Sequence, residues 1–168
     1  MQRRMIAGDK IFLRIPEKGD EKKILTWENF PDNDMVNYHH EKVELQDIIK
    51  WISEKHHDFL LEKELRLMIC DNTTRDVVGS IDLFQLNKET KACGTGIIVD
   101  RNHRKKGFAN EAIHLLVNFS FNHFGLKKIW CQIHPKNEIS IQLFKKCGFQ
   151  HKKTNKDKLL IFERTKTE

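Results

Sequence analysis

The chain has 168 residues, of which 39% are hydrophobic and 32% are charged, and its formal net charge is +6. This length and balance fit one folded domain over residues 1–168 and exclude a largely disordered chain. No apolar run is long enough to cross a bilayer, and no apolar stretch follows the basic N-terminus to form a secretory signal. We therefore expect a cytoplasmic protein that has no membrane partner.

The first half of the chain predicts one strand, two helices and then a group of strands. A strand over 11–15 ends at Pro16, and Asp20 is expected to cap a helix that runs to about 29. Leucine and isoleucine recur with a helical period over 45–52, which predicts one face of an amphipathic helix. Three further strands follow, separated by short polar turns, and they predict an antiparallel meander over 65–69, 77–86 and 92–99.

The second half predicts a helix that crosses from one strand to the next. An apolar helical period runs over 107–124, and a strand rich in β-formers follows at 128–133. Because such a crossover makes its two strands parallel, this strand should run alongside 92–99. A shorter helix with Asn137 as N-cap and Gly148 as C′ residue follows, and a final hairpin completes a mixed α/β sheet of about seven strands with about four helices.

Between the two parallel strands lies a loop with four fixed positive charges: Arg101, Arg104, Lys105 and Lys106. Gly107 follows at the predicted start of the helix, where backbone N–H groups lack partners and the helix dipole is positive. Glycine lets a ligand approach the backbone closely, so this pattern suits an anion such as a phosphate. From the spacing alone, a solvated basic turn fits equally well, and the loop matches neither a Walker motif nor GxGxxG.

Two segments of the chain resemble the motifs of the GNAT N-acetyltransferase family. Arg104-x-x-Gly107-x-Ala109 matches the loop of that family, and its second motif is met by Asn137, Ser140, Leu143, Phe144, Lys146, Gly148 and Phe149. The stretch LRIPEKGDEKKILTWEN is similar to the ribosomal-protein and polyamine (spermidine) acetyltransferase branch. The resemblance spans about 11–164 and implies a GNAT-like fold in which the parallel strand pair splays at a coenzyme site.

The resemblance implies acetyl-coenzyme A (acetyl-CoA) as the co-substrate and implies which residues hold it. The main chain of Ile98 and Val99 would pair with the pantetheine arm, and the N–H of Val99 or Asp100 would stabilise the reacting oxyanion. The phosphates would lie on the Arg104 side chain and on the N–H groups of Lys105, Lys106, Gly107, Phe108, Ala109 and Asn110. Further coenzyme contacts would come from Asn137, Ser140 and Phe144.

The implied reaction is direct attack of a primary amine on the thioester within a ternary complex. The amine must first lose a proton, since a lysine-like amine has a pKa of about 10.4. Two groups that polyamine-type enzymes use are missing, because Phe144 stands at the tyrosine position and Gly94 at the glutamate position. His134 is our candidate base, since its ordinary pKa of about 6.5 suits proton uptake at neutral pH. Asp82, or another carboxylate acting through water, is the alternative.

The amine would bind on the side built by the helices between the first two strands. A cationic amine favours carboxylates and aromatic faces, and the candidates there are Trp27, Glu28, Tyr38 and Glu41. Polyamines, protein N-termini and small amines all stay open as substrates. A homodimer is implied only as the habit of the family.

Two other functions fit parts of the sequence. A non-catalytic acyl-CoA sensor would keep the loop and lack the two catalytic groups. A nucleic-acid-binding module would use the same basic loop, but the helix after Gly107 is too apolar to enter a groove, so we expect no nucleic-acid partner. We also expect no metal, because no two of the four cysteines share a CxxC spacing: Cys70, Cys93, Cys131 and Cys147.

Overall fold

A mixed β-sheet organises the fold in a computed structural model that describes residues 5–30, 42–55 and 57–168. Within these ranges the sheet has eight strands in the order β1-β2-β3-β4-β5-β6-β8-β7. Neighbouring strands are antiparallel except β5 and β6, which run parallel. The strands are β1 Ile6–Ala7, β2 Ile11–Arg14, β3 Leu65–Asp71, β4 Val77–Asn87, β5 Ala92–Val99, β6 Lys128–Ile133, β7 Gln150–Thr154 and β8 Leu160–Thr165.

The sequence prediction of about seven strands omits β1, which has only two residues. Ile6 and Ala7 pair with Leu13 and Phe12 of β2. A strand this short shows no alternation of its own, so it can be recognised only through its partner. The predicted meander of β3, β4 and β5 is confirmed.

Helices cover both faces of the sheet: α1 Glu21–Glu28, α2 Leu45–Glu54, α3 Phe59–Glu62, α4 Phe108–Asn122 and α5 Glu138–Lys146, with a 3₁₀ turn at Arg101–His103. The sequence analysis missed α3, because a single turn is too short to show a helical period. Asp58 caps α3, since its carboxylate accepts the N–H groups of Leu60 and Leu61 at 3.0 and 3.2 Å. Across the described ranges, we find no helix with the length and apolarity that a membrane span requires.

Asp20 occupies the N-cap position of α1 as predicted, but its side chain makes no capping bond. Its carboxylate instead accepts two hydrogen bonds from the Arg14 guanidinium, at 2.6 and 3.0 Å. Both side chains are almost fully buried, with 2% of Arg14 and 5% of Asp20 exposed. A buried carboxylate gains more from a bidentate cation than from a neutral N–H group, which is why the cap is lost.

Alternation along β3 divides the hydrophobic interior into two cores. Leu65, Leu67 and Ile69 belong to the larger core, which includes side chains of α4 and α5. Met68 and Cys70 belong to a smaller core with side chains of α1 and α2. Successive side chains of a strand point to opposite faces, so each face of the sheet is covered by its own helices.

The parallel strands β5 and β6 stay paired for only a short distance. Ala92, Cys93 and Gly94 pair with Lys128, Ile129 and Trp130, and in the part of the chain that the structure describes the ladder goes no further. β6 stays bonded along its length to β8 on its other edge. The predicted splay is therefore confirmed, and it leaves an open edge on β5 from residue 95 onwards.

Helix α5 lies beside the splay, and both of its ends follow the predicted caps. At its start Asn137 Oδ1 accepts the N–H of Ser140 at 3.2 Å. At its end Gly148 has a φ of +86°, and Phe149 N–H donates back to Phe144 C=O at 3.0 Å. This Schellman closure and the N-cap together fix the helix that carries Ser140 and Phe144.

Candidate active site

The splay opens on a cleft of about 720 Å³ that extends from β6 and α5 across β5 to α1 and α2. The residues that β5 and β6 contribute to its lining are Thr95, Gly96, Ile97, Ile98, Cys131, Gln132 and Ile133. From the second sequence motif come Asn137, Ser140 and Phe144. Both splayed strands and this motif therefore share one cavity.

The backbone groups of β5 alternate between the neighbouring strand β4 and the splay. Asp100 N–H donates to Val78 C=O at 2.7 Å, and hydrogen-bonded pairs alternate along an antiparallel ladder. The next hydrogen-bonded pair along the ladder therefore lies two residues before Asp100, where Ile98 of β5 is opposite Ser80 of β4. The backbone of Ile98 therefore belongs to the β4 ladder, and its predicted pairing with a pantetheine arm needs correction.

The residues on either side of Ile98 turn their backbone groups towards the splay. Val99 C=O accepts a hydrogen bond from Arg104 Nε at 3.0 Å, so it does not face β4. By the same alternation, Ile97 directs its N–H and C=O into the cleft. Of the two N–H groups expected for an oxyanion, that of Asp100 is already bonded within the sheet, which leaves Val99 as the candidate.

The basic loop begins where β5 ends. Gly107 takes the N-cap position of α4 with a φ of +83°, a conformation that favours glycine. Four predicted phosphate contacts are exposed to solvent: Arg104, Lys105, Lys106 and Gly107. The others occupy the first helical turn, where no earlier carbonyl is available to their N–H groups: Phe108, Ala109 and Asn110.

The start of α4 is anchored beside the splay through two of its residues. Phe108 is 7% exposed and packs in the larger core. Asn110 Oδ1 accepts a hydrogen bond from the thiol of Cys147, at the end of α5, with 3.1 Å between the atoms. Burial raises the pKa of Cys147 to about 11, so this group stays a thiol and keeps its proton at neutral pH. The loop and the second motif are therefore tied together.

Packed aromatic rings occupy the places of the tyrosine and the glutamate that the sequence lacks at Phe144 and Gly94. Phe144 is 3% exposed and meets Phe149 edge-to-face, with 5.0 Å between the ring centroids. A Cβ on Gly94 would come within 2.4 Å of the Phe84 ring, which covers the place of the absent side chain. Phe84 in turn packs against Trp130 at 5.5 Å. Neither position offers a group that could transfer a proton.

A carboxylate does lie one strand away, on the same face as Gly94. Asp82 precedes Phe84 by two residues of β4, which places both side chains on one face, and it pairs with Gly96 of β5. The Arg66 guanidinium binds Asp82 with two bonds of 2.9 Å and binds Glu28 at 2.8 Å. Burial by itself lowers the pKa of Arg66, but Asp82 and Glu28 outweigh it and raise that pKa above its ordinary value. All three residues line the cleft.

Three more carboxylates extend the acidic part of the lining: Asp47, Glu62 and Glu64. Lys55 pairs with Glu64 and, at 3.9 Å, with Glu62, and its hydrogen bond to Glu64 raises the pKa of Lys55. The five carboxylates among the described residues of the lining are thus balanced by only two cations, those of Arg66 and Lys55. Such an excess of negative charge suits a cationic ligand.

Sequence comparison decides the family. A family model described as an acetyltransferase (GNAT) domain matches residues 10–150. The chain belongs to the GNAT acetyltransferase family. The matched range contains the splayed strands and helix α5, which line the cleft, and the basic loop beside it.

Two curated relatives of this GNAT acetyltransferase are named spermidine N(1)-acetyltransferase. The protein from Vibrio cholerae is 27% identical over 142 residues, which are 84% of this chain and 80% of the relative. The protein from Escherichia coli is 28% identical over 109 residues, which are 64% of this chain and 53% of the relative. The chain is accordingly an acyltransferase of the N-acetyltransferase type.

Solved structures share the fold of this GNAT acetyltransferase. Spermidine N-acetyltransferase from Vibrio cholerae, in complex with CoA and spermine, superposes with a TM-score of 0.77 at 23% identity, over 93% of this chain and 94% of that one. A domain from Methanocaldococcus jannaschii gives a TM-score of 0.75 at 21% identity, over 94% and 99%. At this identity the likeness shows the fold alone.

The predicted amine-binding residues of the GNAT acetyltransferase have different positions. Glu28 lines the cleft. Trp27 does not: it is 5% exposed, packs in the smaller core, and donates from Nε1 to Asp100 Oδ2 at 3.1 Å, which corrects the prediction for Trp27. Tyr38 and Glu41 lie outside the described residues.

His134, the predicted base, follows β6 and is not among the described residues that line the cleft. Its Nδ1 accepts the N–H of Lys136 at 3.1 Å. The sequence reasoning also missed Arg66, whose contact with Asp82 requires the register between β3 and β4. The only feature of Arg66 that the sequence shows is a charge among the alternating apolar residues of β3.

Proposed function

We propose that this GNAT acetyltransferase moves an acetyl group from acetyl-CoA to a primary amine within a ternary complex. The observation that carries the proposal is the cleft at the splay of β5 and β6. It has a basic helix N-terminus beside one end and five carboxylates along the rest of its lining. The first end suits a phosphate-bearing donor, and the second suits a cationic acceptor.

In the proposed complex the pantetheine arm pairs with the open edge of β5 through Ile97 and Val99. The phosphates lie on the loop from Arg104 to Asn110, and Asn137, Ser140 and Phe144 contact the arm from α5. The registers of β4 and β5 support this mode, as does the CoA bound in a structural neighbour of the same fold.

The proposed reaction needs one nucleophile and one oxyanion donor. The neutral amine nitrogen attacks the thioester carbon, and the Val99 N–H stabilises the oxyanion that forms. Collapse of this intermediate breaks the carbon–sulfur bond and gives the acetylated amine and the coenzyme thiolate. The proton that the amine loses balances the proton that the thiolate gains. Because Phe144 cannot supply that proton, the thiolate takes it from water or from the protonated nitrogen of the intermediate.

Two residues are candidates for accepting the amine proton. Asp82 lines the cleft on the face where the family glutamate would project, and a water molecule would relay the proton to it. His134 lies beyond the lining, at the end of β6. We expect Asp82→Asn to lower kcat about a hundredfold and His134→Ala to leave it within about threefold. The reverse order would assign the proton transfer to His134.

For the acceptor we propose an extended cationic amine such as a polyamine, ahead of a protein N-terminus or a small neutral amine. The excess of carboxylates over guanidinium in the lining supports this choice, and so do the names of the relatives. A protein N-terminus would bring a single charge to a cleft that holds several opposite charges.

Thiol release from acetyl-CoA, measured against a panel of polyamines, N-terminal peptides and small amines, tests the proposal. We expect release that depends on amine, with intersecting initial-velocity lines. A non-catalytic acyl-CoA sensor would bind acetyl-CoA in calorimetry and release no thiol with any amine. That outcome would overturn transfer while leaving the coenzyme site in place.

A further inference from the structure

The turn between β1 and β2 lies against the basic loop and is held from two sides. On one side the Glu111 carboxylate, in the first turn of α4, accepts the N–H groups of Asp9 and Lys10, the latter at 3.0 and 3.1 Å. On the other side Asn72 Nδ2 donates to the carbonyls of Gly8 and Asp9, both at 2.8 Å. The backbone of this turn is therefore fixed through both its donors and its acceptors.

The close approach of the turn to α4 depends on glycine at position 8. A Cβ on Gly8 would come within 2.4 Å of Glu111 Oε1 and within 2.7 Å of the Leu115 side chain. Any larger residue would push the turn away from the helix. The sequence thus keeps the turn in contact with the first turn of α4.

The side chain that this turn brings to the loop is that of Lys10. Its Nζ donates to the carbonyl of Lys106 at 3.2 Å. It also lies 2.9 Å from the place that a Cβ on Gly107 would take. The ammonium group therefore sits at the N-cap of α4, although Lys10 is 96 residues away from Lys106 in sequence.

The charges around the helix start are arranged in favour of an anion. An acidic residue in a first turn complements the helix dipole, but it would repel a phosphate bound at the same end. The carboxylate of Glu111 instead faces the N–H groups of the β1–β2 turn. The same contact holds the positive charge of Lys10 on the loop.

We propose that Lys10 binds a phosphate group of the coenzyme and that Glu111 is the positioning residue that holds it there. The proposal rests on the use of acetyl-CoA proposed above. A phosphate oxygen is a charged acceptor and forms a stronger hydrogen bond than the Lys106 carbonyl that Lys10 contacts in the protein alone. Lys10 thereby joins the contiguous loop motif from a distant part of the chain.

Calorimetric titration of Lys10→Ala with coenzyme A tests the role of Lys10. We expect about tenfold weaker binding at low ionic strength, because a charge-assisted hydrogen bond is lost, and a smaller loss in high salt. Lys10→Arg should retain most of the affinity. The matched control is Lys18→Ala, an exposed lysine beyond the other end of β2, which should bind as the wild type does. Equal affinity of Lys10→Ala and wild type would overturn the proposal.

The same titrations with 3′-dephospho-coenzyme A and with pantetheine identify the group that Lys10 contacts. A loss that persists with the dephospho form assigns Lys10 to the pyrophosphate, and a loss that disappears assigns it to the 3′-phosphate. Either result supports the proposal. An equal loss with pantetheine, which carries no phosphate, would overturn it. Wild-type protein that binds no coenzyme at all would instead refute the proposed function.

A double-mutant cycle separates the positioning role of Glu111 from a structural one. Glu111→Ala should weaken coenzyme A binding about threefold to tenfold when Lys10 is present, and it should have no such effect in Lys10→Ala. Thermal melts establish that each variant is folded. Additive losses in the double variant would show that Glu111 does not act through Lys10.

Discussion

The two ends of the cleft are built in opposite ways. The basic end, by which we mean the loop that lies beside the cleft, is made of backbone N–H groups and side chains from one contiguous segment at the start of α4. The acidic end is made of five side chains that four separate segments contribute: Glu28, Asp47, Glu62 with Glu64, and Asp82. A site built on backbone in one loop can be recognised in a sequence, whereas a site assembled from distant side chains becomes visible only in the fold.

Under the proposed function, the opposite charges of the two ends would also separate the two substrates. In the proposed complex the basic loop would attract the phosphates of the coenzyme and repel an ammonium group, while the carboxylate lining would attract the ammonium group and repel the phosphates. The reacting groups would then meet at the splay, where Ile97 and Val99 present backbone groups. Substitutions in either end, or in the segment that joins β5 to the basic loop, therefore test this separation.

The largest effect should come from the basic end. Gly107→Val should weaken coenzyme A binding by roughly a hundredfold or more, because Gly107 has a φ of +83° and a side chain there would meet Lys10 and block the backbone. Calorimetry measures the affinity. The matched control is Gly125→Val, since Gly125 also has a positive φ, +67°, with open space around it. Equal losses in both variants would show that strain alone is responsible.

The next effect concerns the stability of the acidic end. Arg66→Met should lower the free energy of unfolding by about 2 kcal/mol, because Glu28 and Asp82 would keep partly buried charges without their cation. Urea denaturation measures the change. Lys128→Met is the control, since its pair with Glu163 is longer, 3.4 Å, and more exposed, and it should cost less than about 0.5 kcal/mol. Similar losses would contradict a special role for Arg66.

A smaller effect should distinguish the two ends in kinetics. Asp47→Asn combined with Glu64→Gln should raise KM for a cationic amine about fivefold and leave the affinity for coenzyme A unchanged. Lys105→Ala should weaken the binding of coenzyme A and leave KM for the amine unchanged. Initial rates with varied amine, together with calorimetry for the coenzyme, test both variants. A change in coenzyme affinity in the first variant would mean that the two ends do not act separately.

The smallest predicted effect concerns Asp100, which directly follows β5 and precedes the basic loop. Burial by itself raises the pKa of Asp100, but hydrogen bonds from Trp27 Nε1 and from Asn102 N–H outweigh it and lower that pKa below its ordinary value. A lowered pKa in the folded state adds stability above about pH 4, and this stability is lost as the pH falls through the folded value. Trp27→Phe should raise the pKa of Asp100 and flatten this acid-induced loss.

The change in Trp27→Phe should be well under about 1 kcal/mol, because Asp100 is only partly buried and solvent screens its charge. Urea denaturation at several pH values and an NMR titration of Asp100 measure it. Phe108→Leu, in the larger core, is the control that changes packing without touching Asp100. An unaltered titration of Asp100 in Trp27→Phe would show that the indole hydrogen bond has no such influence.

The predictable part of the site is the part that is local in sequence. The residues from Arg104 to Ala109 are contiguous and lead into α4, and Asn137 caps the helix that carries Ser140 and Phe144, so short-range patterns sufficed to predict these elements. Their contacts with a coenzyme stay a prediction. The parallel pairing of β5 with β6 followed from the crossover, and the splay followed from the resemblance to the family. Strand β1 and helix α3 were missed because elements of two and four residues show no period.

The unpredictable part depends on register and on burial. Along β5, the backbone groups of every second residue face the splay. The hydrogen bond between Asp100 and Val78 shows that Ile97, and not Ile98, is one of these residues. The contact of Arg66 with Asp82 likewise needs the pairing of β3 with β4. Trp27 was expected to contact the amine, but its indole turns into the smaller core.

Transfer of a labelled acetyl group tests the central proposal most directly. Wild-type protein, labelled acetyl-CoA and a panel of amines would be incubated together, and the products would be analysed by mass spectrometry. We expect labelled N-acetyl polyamine from the wild type and none from Gly107→Val. Coenzyme binding by the wild type without any labelled amine product would contradict the assignment of this cleft as an acetyl-transfer site.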